Sequence, residues 1–119
     1  MIMSAHVFNR NLDSEYPATL SKKILHDLLR EEIGFDGIIV SDAMEMKAIT
    51  EHFGLEEAIE RGINAGCDIL VFSNNIDEFN PGIVVKVEEI VHRLVDEGKI
   101  SESRIRESYE RIMNVKETL

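Results

Sequence analysis

Gly37-Ile38-Ile39-Val40-Ser41-Asp42-Ala43-Met44 is the stretch that decides how this chain folds. Its first four residues carry no charge, three of them are β-branched, and a serine and a carboxylate follow directly. A run so short and so uniformly apolar predicts a strand buried on both faces, as in parallel sheets. Asp42 then stands where the strand ends. In α/β folds and barrels the carboxyl ends of parallel strands are where ligands and catalytic side chains gather.

Working outward, Met1 to Ala5 is apolar and small and predicts a first strand with almost no lead-in, tied down by a sheet. His6 to Asp13 reads as a loop that Pro17 closes. Ser21 is a predicted N-cap, Ile24, Leu25, Leu28 and Leu29 repeat with helical period to Ile33, and Gly34 provides the stop. Beyond Asp42, helix is predicted over Met46 to Phe53 and Leu55 to Ala65, with a break at Gly54 and an end at Gly66. Asp68 to Phe72 is a third buried strand, and Ser73-Asn74-Asn75 form its exit loop. Pro81 suits the first turn of a helix carrying Ile83, Val87, Ile90 and Leu94 that ends at Gly98. Ser101 caps a last amphipathic helix with Ile105, Tyr109, Ile112 and Met113.

The predicted order is strand, helix, strand, helix, strand, helix, helix. Strand starts recur roughly every 30–36 residues, the length of a βαβ unit, which implies parallel pairing through right-handed crossovers. The fold class is α/β. Three parallel strands are few, since a barrel closes with eight over about 250 residues. Residues 1–119 are therefore expected to be a single partial domain, a piece of something larger.

Composition narrows the chemistry. A formal net charge of −10, from 13 basic and 23 acidic residues, argues against a nucleic-acid backbone or an anionic membrane surface as partner. Cys67 is the only cysteine, so no internal disulfide and no thiolate metal cluster can form, and a buried inert thiol is expected. Met1 to His6 has no basic region ahead of its apolar stretch and is too short for a signal peptide. The expected compartment is the cytoplasm, with export left open for a longer parent protein.

Asp42 is the sharpest candidate for chemistry. As a strand-end carboxylate it could serve as nucleophile, general base, metal ligand or phosphoacceptor; the plainer reading is a cap for the next helix, facing solvent. His6 follows the first strand at the same sheet edge, where a hydrogen-bonded supporting histidine is favoured over an acid or base. Met44 is close enough to Asp42 to wall a pocket, although methionine there is more often core. Ser73, Asn74 and Asn75 could bind a polar ligand or simply turn the chain, since Asn tolerates left-handed backbone. Glu45 and Lys47 are expected to be solvated. His26, His52 and His92 share no spacing that would build a zinc site, and no phosphate-cradling glycine loop is present. No cofactor and no metal are expected.

Three stretches together resemble glycoside hydrolase family 3. Met3-Ser4-Ala5-His6-Val7, with Pro17-Ala18-Thr19-Leu20-Ser21 downstream, is similar to that family's sixth strand and following helix. Gly34-Phe35-Asp36-Gly37 through Ser41-Asp42-Ala43-Met44, with Met46-Lys47-Ala48-Ile49, resembles the stretch around its nucleophile. Ala65-Gly66-Cys67-Asp68-Ile69-Leu70 resembles the start of its eighth strand. The resemblance implies the C-terminal part of a TIM (β/α)8 barrel: three βα units plus a trailing helix.

It also implies a retaining glycosidase with Asp42 as nucleophile. Ser-Asp-Ala-Met followed by Met-Lys-Ala-Ile is similar to the β-N-acetylhexosaminidase subgroup, whereas the β-glucosidase branch more often has Trp after the Asp. The implied substrate is a terminal β-N-acetylglucosaminide, in the setting of cell-wall recycling. His6, Met44 and Asn74 are the expected substrate contacts. In that subgroup the acid/base is a His–Asp pair within a Lys-His-Phe-Pro-Gly-His-like block, which this sequence lacks. The isolated chain is therefore expected to be inactive, and its bare sheet edges to self-associate or to meet a missing N-terminal half-barrel. The alternatives are a β-glucosidase-type member, a non-catalytic remnant, or a signalling receiver domain. The last would need an acidic pair where His6-Val7-Phe8-Asn9 stands.

Overall fold

The computed structural model describes residues 1–75 and 78–119. Among them, three strands form one sheet in the order β1-β2-β3: β1 (Ile2–Met3), β2 (Ile39–Ala43) and β3 (Ile69–Val71). Both pairings are parallel, with Ile2 opposite Ile39 and Val40 opposite Ile69. The uniformly apolar stretch is the central strand, and Ile38, Ile39 and Val40 are buried as that composition requires.

The sequence reading needs adjusting at several places. The central strand continues through Ser41 and Asp42 to Ala43, so Asp42 is the last residue but one of β2 and does not lie beyond it. The strand β3 is shorter than Asp68 to Phe72 and only half-buried, because it lies at a sheet edge with no strand outside it among the described residues. At the opposite edge, Ile2 and Met3 of β1 are exposed. Pro81 lies in the turn leading into α3 (Ile83–Asp96), whose cap is Gly82, and not in the helix's first turn.

The first crossover contains a 3-10 turn (Ala18–Leu20) and a wide, π-type helix (Lys23–Glu32) where ordinary helical period was expected. In its last turn the Ile33 amide reaches back to the Leu28 carbonyl. Ser21 starts this helix as predicted, its Oγ accepting from the Ile24 amide at 3.2 Å. Then come α1 (Lys47–Phe53) and α2 (Leu55–Ala65), and after β3 the helices α3 and α4 (Glu102–Glu117). Gly54 separates α1 from α2 at φ +70°, and Gly66 closes α2 at φ +133°; both conformations are strained for any residue with a Cβ.

Three buried clusters hold the layers together. Ile59 and Ile63 of α2 meet Ile90 and Leu94 of α3 and Ile100. Leu20, Met44, Ile49 and Ala58 form the second, and Leu25, Ile39, Ala65 and Cys67 the third. Leu70 of β3 packs against all three. Fully burying an aliphatic side chain such as Ile59 or Leu94 contributes about 1.5–3 kcal/mol, so the α2 seam carries much of the fold.

Candidate active site

The carboxyl edge of the sheet is shaped by an irregularity in β2. Val40 lies opposite Ile69 and Ala43 opposite Val71, so β2 fits one more residue than β3 into the same interval. Such a bulge re-aims the side chains beside it and leaves a ladder donor without its usual carbonyl. Ser41 supplies the replacement: its Oγ accepts from the Val71 amide at 2.9 Å, and the residue is fully buried. This role of the serine in Ser-Asp was missed by sequence reasoning, because a bulge depends on the partner strand.

Asp42 follows at a half-buried position. Its Oδ1 accepts from the Ala43 amide at 2.8 Å. It does not cap α1, whose cap is Met46 without a side-chain bond, so the solvent-facing capping alternative is not what the chain adopts. Among the described residues the carboxylate has no other hydrogen-bond partner, which leaves lone pairs for a ligand or reacting atom.

His6 is brought to the same edge. Its Nε2 lies 2.8 Å from the Ala43 carbonyl oxygen and its Nδ1 3.0 Å from Thr19 Oγ1. Both ring nitrogens are engaged within the protein, the supporting arrangement favoured from the sequence. A direct substrate contact through them would require breaking one of these bonds. Thr19, to which the sequence reading gave no role of its own, is fully buried and bonds onward to Ser4 Oγ at 2.9 Å.

Met44 is placed differently from the pocket-wall expectation. It is wholly buried between Leu20, Ile49 and Ala58, because the chain turns inward after Ala43 and its amide bonds the Val71 carbonyl at 2.9 Å. No surface of it faces a ligand; it is core. Asn74 adopts φ +54°, the left-handed backbone that Asn tolerates. Its side-chain amide closes the loop on itself, donating to the Asn80 carbonyl at 2.9 Å and accepting from the Asn80 amide at 2.9 Å. Glu45, expected in solvent, instead accepts from Ser73 Oγ at 3.2 Å and from the Asn74 amide, tying the β2 turn to the β3 exit. Lys47 is exposed as expected.

The opposite edge holds a second carboxylate that sequence reasoning passed over. The Asp68 side chain is fully buried. Its Oδ2 accepts from Arg30 Nη2 at 2.7 Å and the Ile39 amide at 3.0 Å; its Oδ1 accepts from Ser108 Oγ at 2.8 Å and from Arg104 and Arg111, each at 3.3 Å. Burial alone would raise its pKa, but the Ile39 amide, the Ser108 hydroxyl and the arginines outweigh that and hold it below the usual carboxylate range. Asp13 is alike on a smaller scale: burial opposes ionisation, yet the Ser21 hydroxyl and the Glu15 and Tyr16 amides keep its pKa low. Burial pushes the Cys67 thiol up to about 12, consistent with an inert core residue. His26, His52 and His92 lie on three different helices.

The model of the glycosyl hydrolase family 3 N-terminal domain matches residues 1–115. A beta-hexosaminidase A of Pseudoalteromonas piscicida is 31% identical over the whole chain, which spans 22% of that protein. A beta-N-acetylglucosaminidase/beta-glucosidase of Cellulomonas fimi is 32% identical over 87% of this chain and 17% of its own length. The solved beta-N-acetylglucosaminidase of Thermotoga maritima superposes with a TM-score of 0.80 at 38% identity, over 94% of this chain and 24% of that one. The chain thus spans about a fifth of the length of the curated relatives it matches.

Proposed function

The chain belongs to the glycosyl hydrolase family 3 N-terminal domain family, and from that premise we propose that it is the nucleophile-bearing part of a retaining β-N-acetylglucosaminidase. Asp42 is the nucleophile in this reading. One observation carries it: Asp42 stands at the carboxyl end of the central parallel strand with a single backbone amide on its carboxylate. Such a group is rigidly held, ionisable and free on one side. Retaining hydrolysis asks for a carboxylate so placed beneath the anomeric carbon, where it forms a covalent glycosyl-enzyme that water later cleaves.

The second catalytic partner must protonate the departing oxygen and then activate that water. The sequence has no Lys-His-Phe-Pro-Gly-His-like block to supply it. In the proposed reading the partner and the sugar-holding basic residues come from the rest of a (β/α)8 barrel, of which these are the last three βα units and a trailing helix. The exposed Ile2 and Met3 on β1 and the half-buried β3 are the surfaces that such a barrel would cover.

The isolated chain is expected to show almost no turnover of a chromogenic β-N-acetylglucosaminide. In the barrel-complete enzyme, a fluorinated glycosyl inhibitor that traps the covalent intermediate should label the peptide containing Asp42, and Asp42→Asn should abolish both labelling and turnover. Labelling of a different residue, or full turnover by the isolated chain, would overturn the reading. The double name of the Cellulomonas fimi relative favours one second reading, a family member that also cleaves β-glucosides. Comparing kcat/KM for the N-acetylglucosaminide and the glucoside on one enzyme preparation separates the two.

A further inference from the structure

We propose that His6 is a positioning residue for Asp42, acting through the Ala43 carbonyl, which fixes its tautomer, and held in orientation by Thr19. The inference rests on the reading of Asp42 as nucleophile. It follows from which atoms can donate. The Ala43 carbonyl can only accept, so the ring nitrogen 2.8 Å away, Nε2, carries a proton. In the neutral ring Nδ1 is then a bare acceptor, and the Thr19 hydroxyl 3.0 Å away donates to it. Thr19 Oγ1, its proton committed, accepts from Ser4 Oγ at 2.9 Å, in preference to the Ser4 contact with the Val40 carbonyl at 3.4 Å. The direction of the whole chain is therefore set: Ser4 to Thr19 to His6 to Ala43.

The receiving end of this chain is the carbonyl of the residue whose amide holds the nucleophile. The Ala43 carbonyl accepts from both His6 and the Met46 amide, the latter at 3.1 Å, which occupies both of its lone pairs. The Ala43 amide, on the other side of the same residue, donates to Asp42 Oδ1. Rotation of Ala43 would break the His6 bond and swing the Asp42 carboxylate together. Thr19 is fully buried and Ser4 nearly so, so water competes poorly for the upstream bonds. Nothing else among the described residues bonds the Asp42 side chain. The Ala43–Met44 peptide is tied to β3 through its Met44 amide, which donates to the Val71 carbonyl at 2.9 Å, and His6 holds its carbonyl from β1's side.

Two measurements test this. In this chain, long-range proton–nitrogen NMR of 15N-labelled histidine should show His6 as the Nε2–H tautomer with a slowly exchanging proton. Thr19→Val, which keeps the shape and removes the hydroxyl, should keep that tautomer, set by the Ala43 carbonyl, while shifting the His6 ring nitrogens and the Ala43 amide. An Nδ1–H tautomer, or a Thr19→Val spectrum unchanged at His6 and Ala43, overturns the proposal. In the barrel-complete enzyme, His6→Phe should lower kcat on the order of 10²-fold with KM unchanged, the scale of a misplaced reacting group. His6→Gln, whose amide nitrogen can reach the Ala43 carbonyl, should recover most of that loss; His6→Phe at wild-type kcat, or a loss that Gln does not rescue, overturns the proposal. Asp42→Asn in the same assay keeps the two ideas apart. If it abolishes turnover while His6→Phe does not change it, the positioning role fails and the nucleophile stands; if Asp42→Asn retains turnover, the nucleophile reading itself fails.

Discussion

The two ends of one small sheet treat a carboxylate in opposite ways. At the amino edge, Asp68 is fully buried and receives three guanidiniums, a hydroxyl and a backbone amide. At the carboxyl edge, Asp42 is half-buried and receives the amide of the next residue. A carboxylate can accept about four hydrogen bonds, so Asp68 has little capacity left and Asp42 has most of it. Saturation makes a group structural, because any change of partner or charge leaves buried donors unsatisfied. Spare capacity, on a backbone held in place, is what a reacting group needs.

The largest test of that contrast is to remove the saturated group. Asp68→Ala leaves Arg30, Arg104 and Arg111 facing one another in a poorly hydrated site, and should cost about 3–5 kcal/mol. Urea unfolding would show this as a lower midpoint with unchanged slope, and a loss under 1 kcal/mol would break the contrast. Acid offers the same test without a mutation. The Asp68 pKa is lower in the folded chain than in the unfolded one, so its stabilisation is complete above about pH 4, the unfolded-state carboxylate value, and is lost as pH falls through its folded value. Melting temperature in that acid window should fall more steeply for the wild type than for Asp68→Asn, which has already lost this contribution.

Next in size is Ser41→Ala, which strips the acceptor from the Val71 amide at the bulge. It should destabilise by about 1–3 kcal/mol and raise hydrogen exchange at that amide. Smallest is Asp42→Asn. With one backbone partner to disturb, it should change stability by no more than about 0.5 kcal/mol while removing the proposed chemistry. A large stability loss on Asp42→Asn would mean that the carboxyl edge is structural after all.

The α4 helix shows how differently the two edges could be read from the chain. Its apolar positions Ile105, Tyr109 and Ile112 predict an amphipathic helix with a core face, yet none of its residues is fully buried and Tyr109 is exposed. Ile105 packs against the α2–α3 cluster, and polar side chains fasten the rest of the helix. Arg104 donates to the Ile63 and Cys67 carbonyls and to Asp68, and Ser108 donates to Asp68. Hydrophobic period finds the helix but is blind to this, since a helix face carrying Arg and Ser looks solvated until its partner is known. At the carboxyl edge the reading went further, because strand, turn and carboxylate are neighbours in the chain. Even there, Met44 moved into the core and Glu45 out of solvent once β3 was alongside.

The apolar central strand, the helices with their glycine stops, the parallel α/β order and the place of Asp42 near a strand's carboxyl end were all legible in the residues alone. All of these rest on contacts between residues a few positions apart, or on a hydrophobic period that any one segment displays. Packing across the fold created the bulge that makes Ser41 an acceptor for the Val71 amide, the Ser4–Thr19–His6–Ala43 chain, and the joining of Arg30, Asp68, Arg104 and Arg111. Each of those needs a donor and an acceptor from distant parts of the chain within about 3 Å. Hydrogen bonds and buried ion pairs are short-ranged and directional, so their partners exist only after the strands and helices have packed.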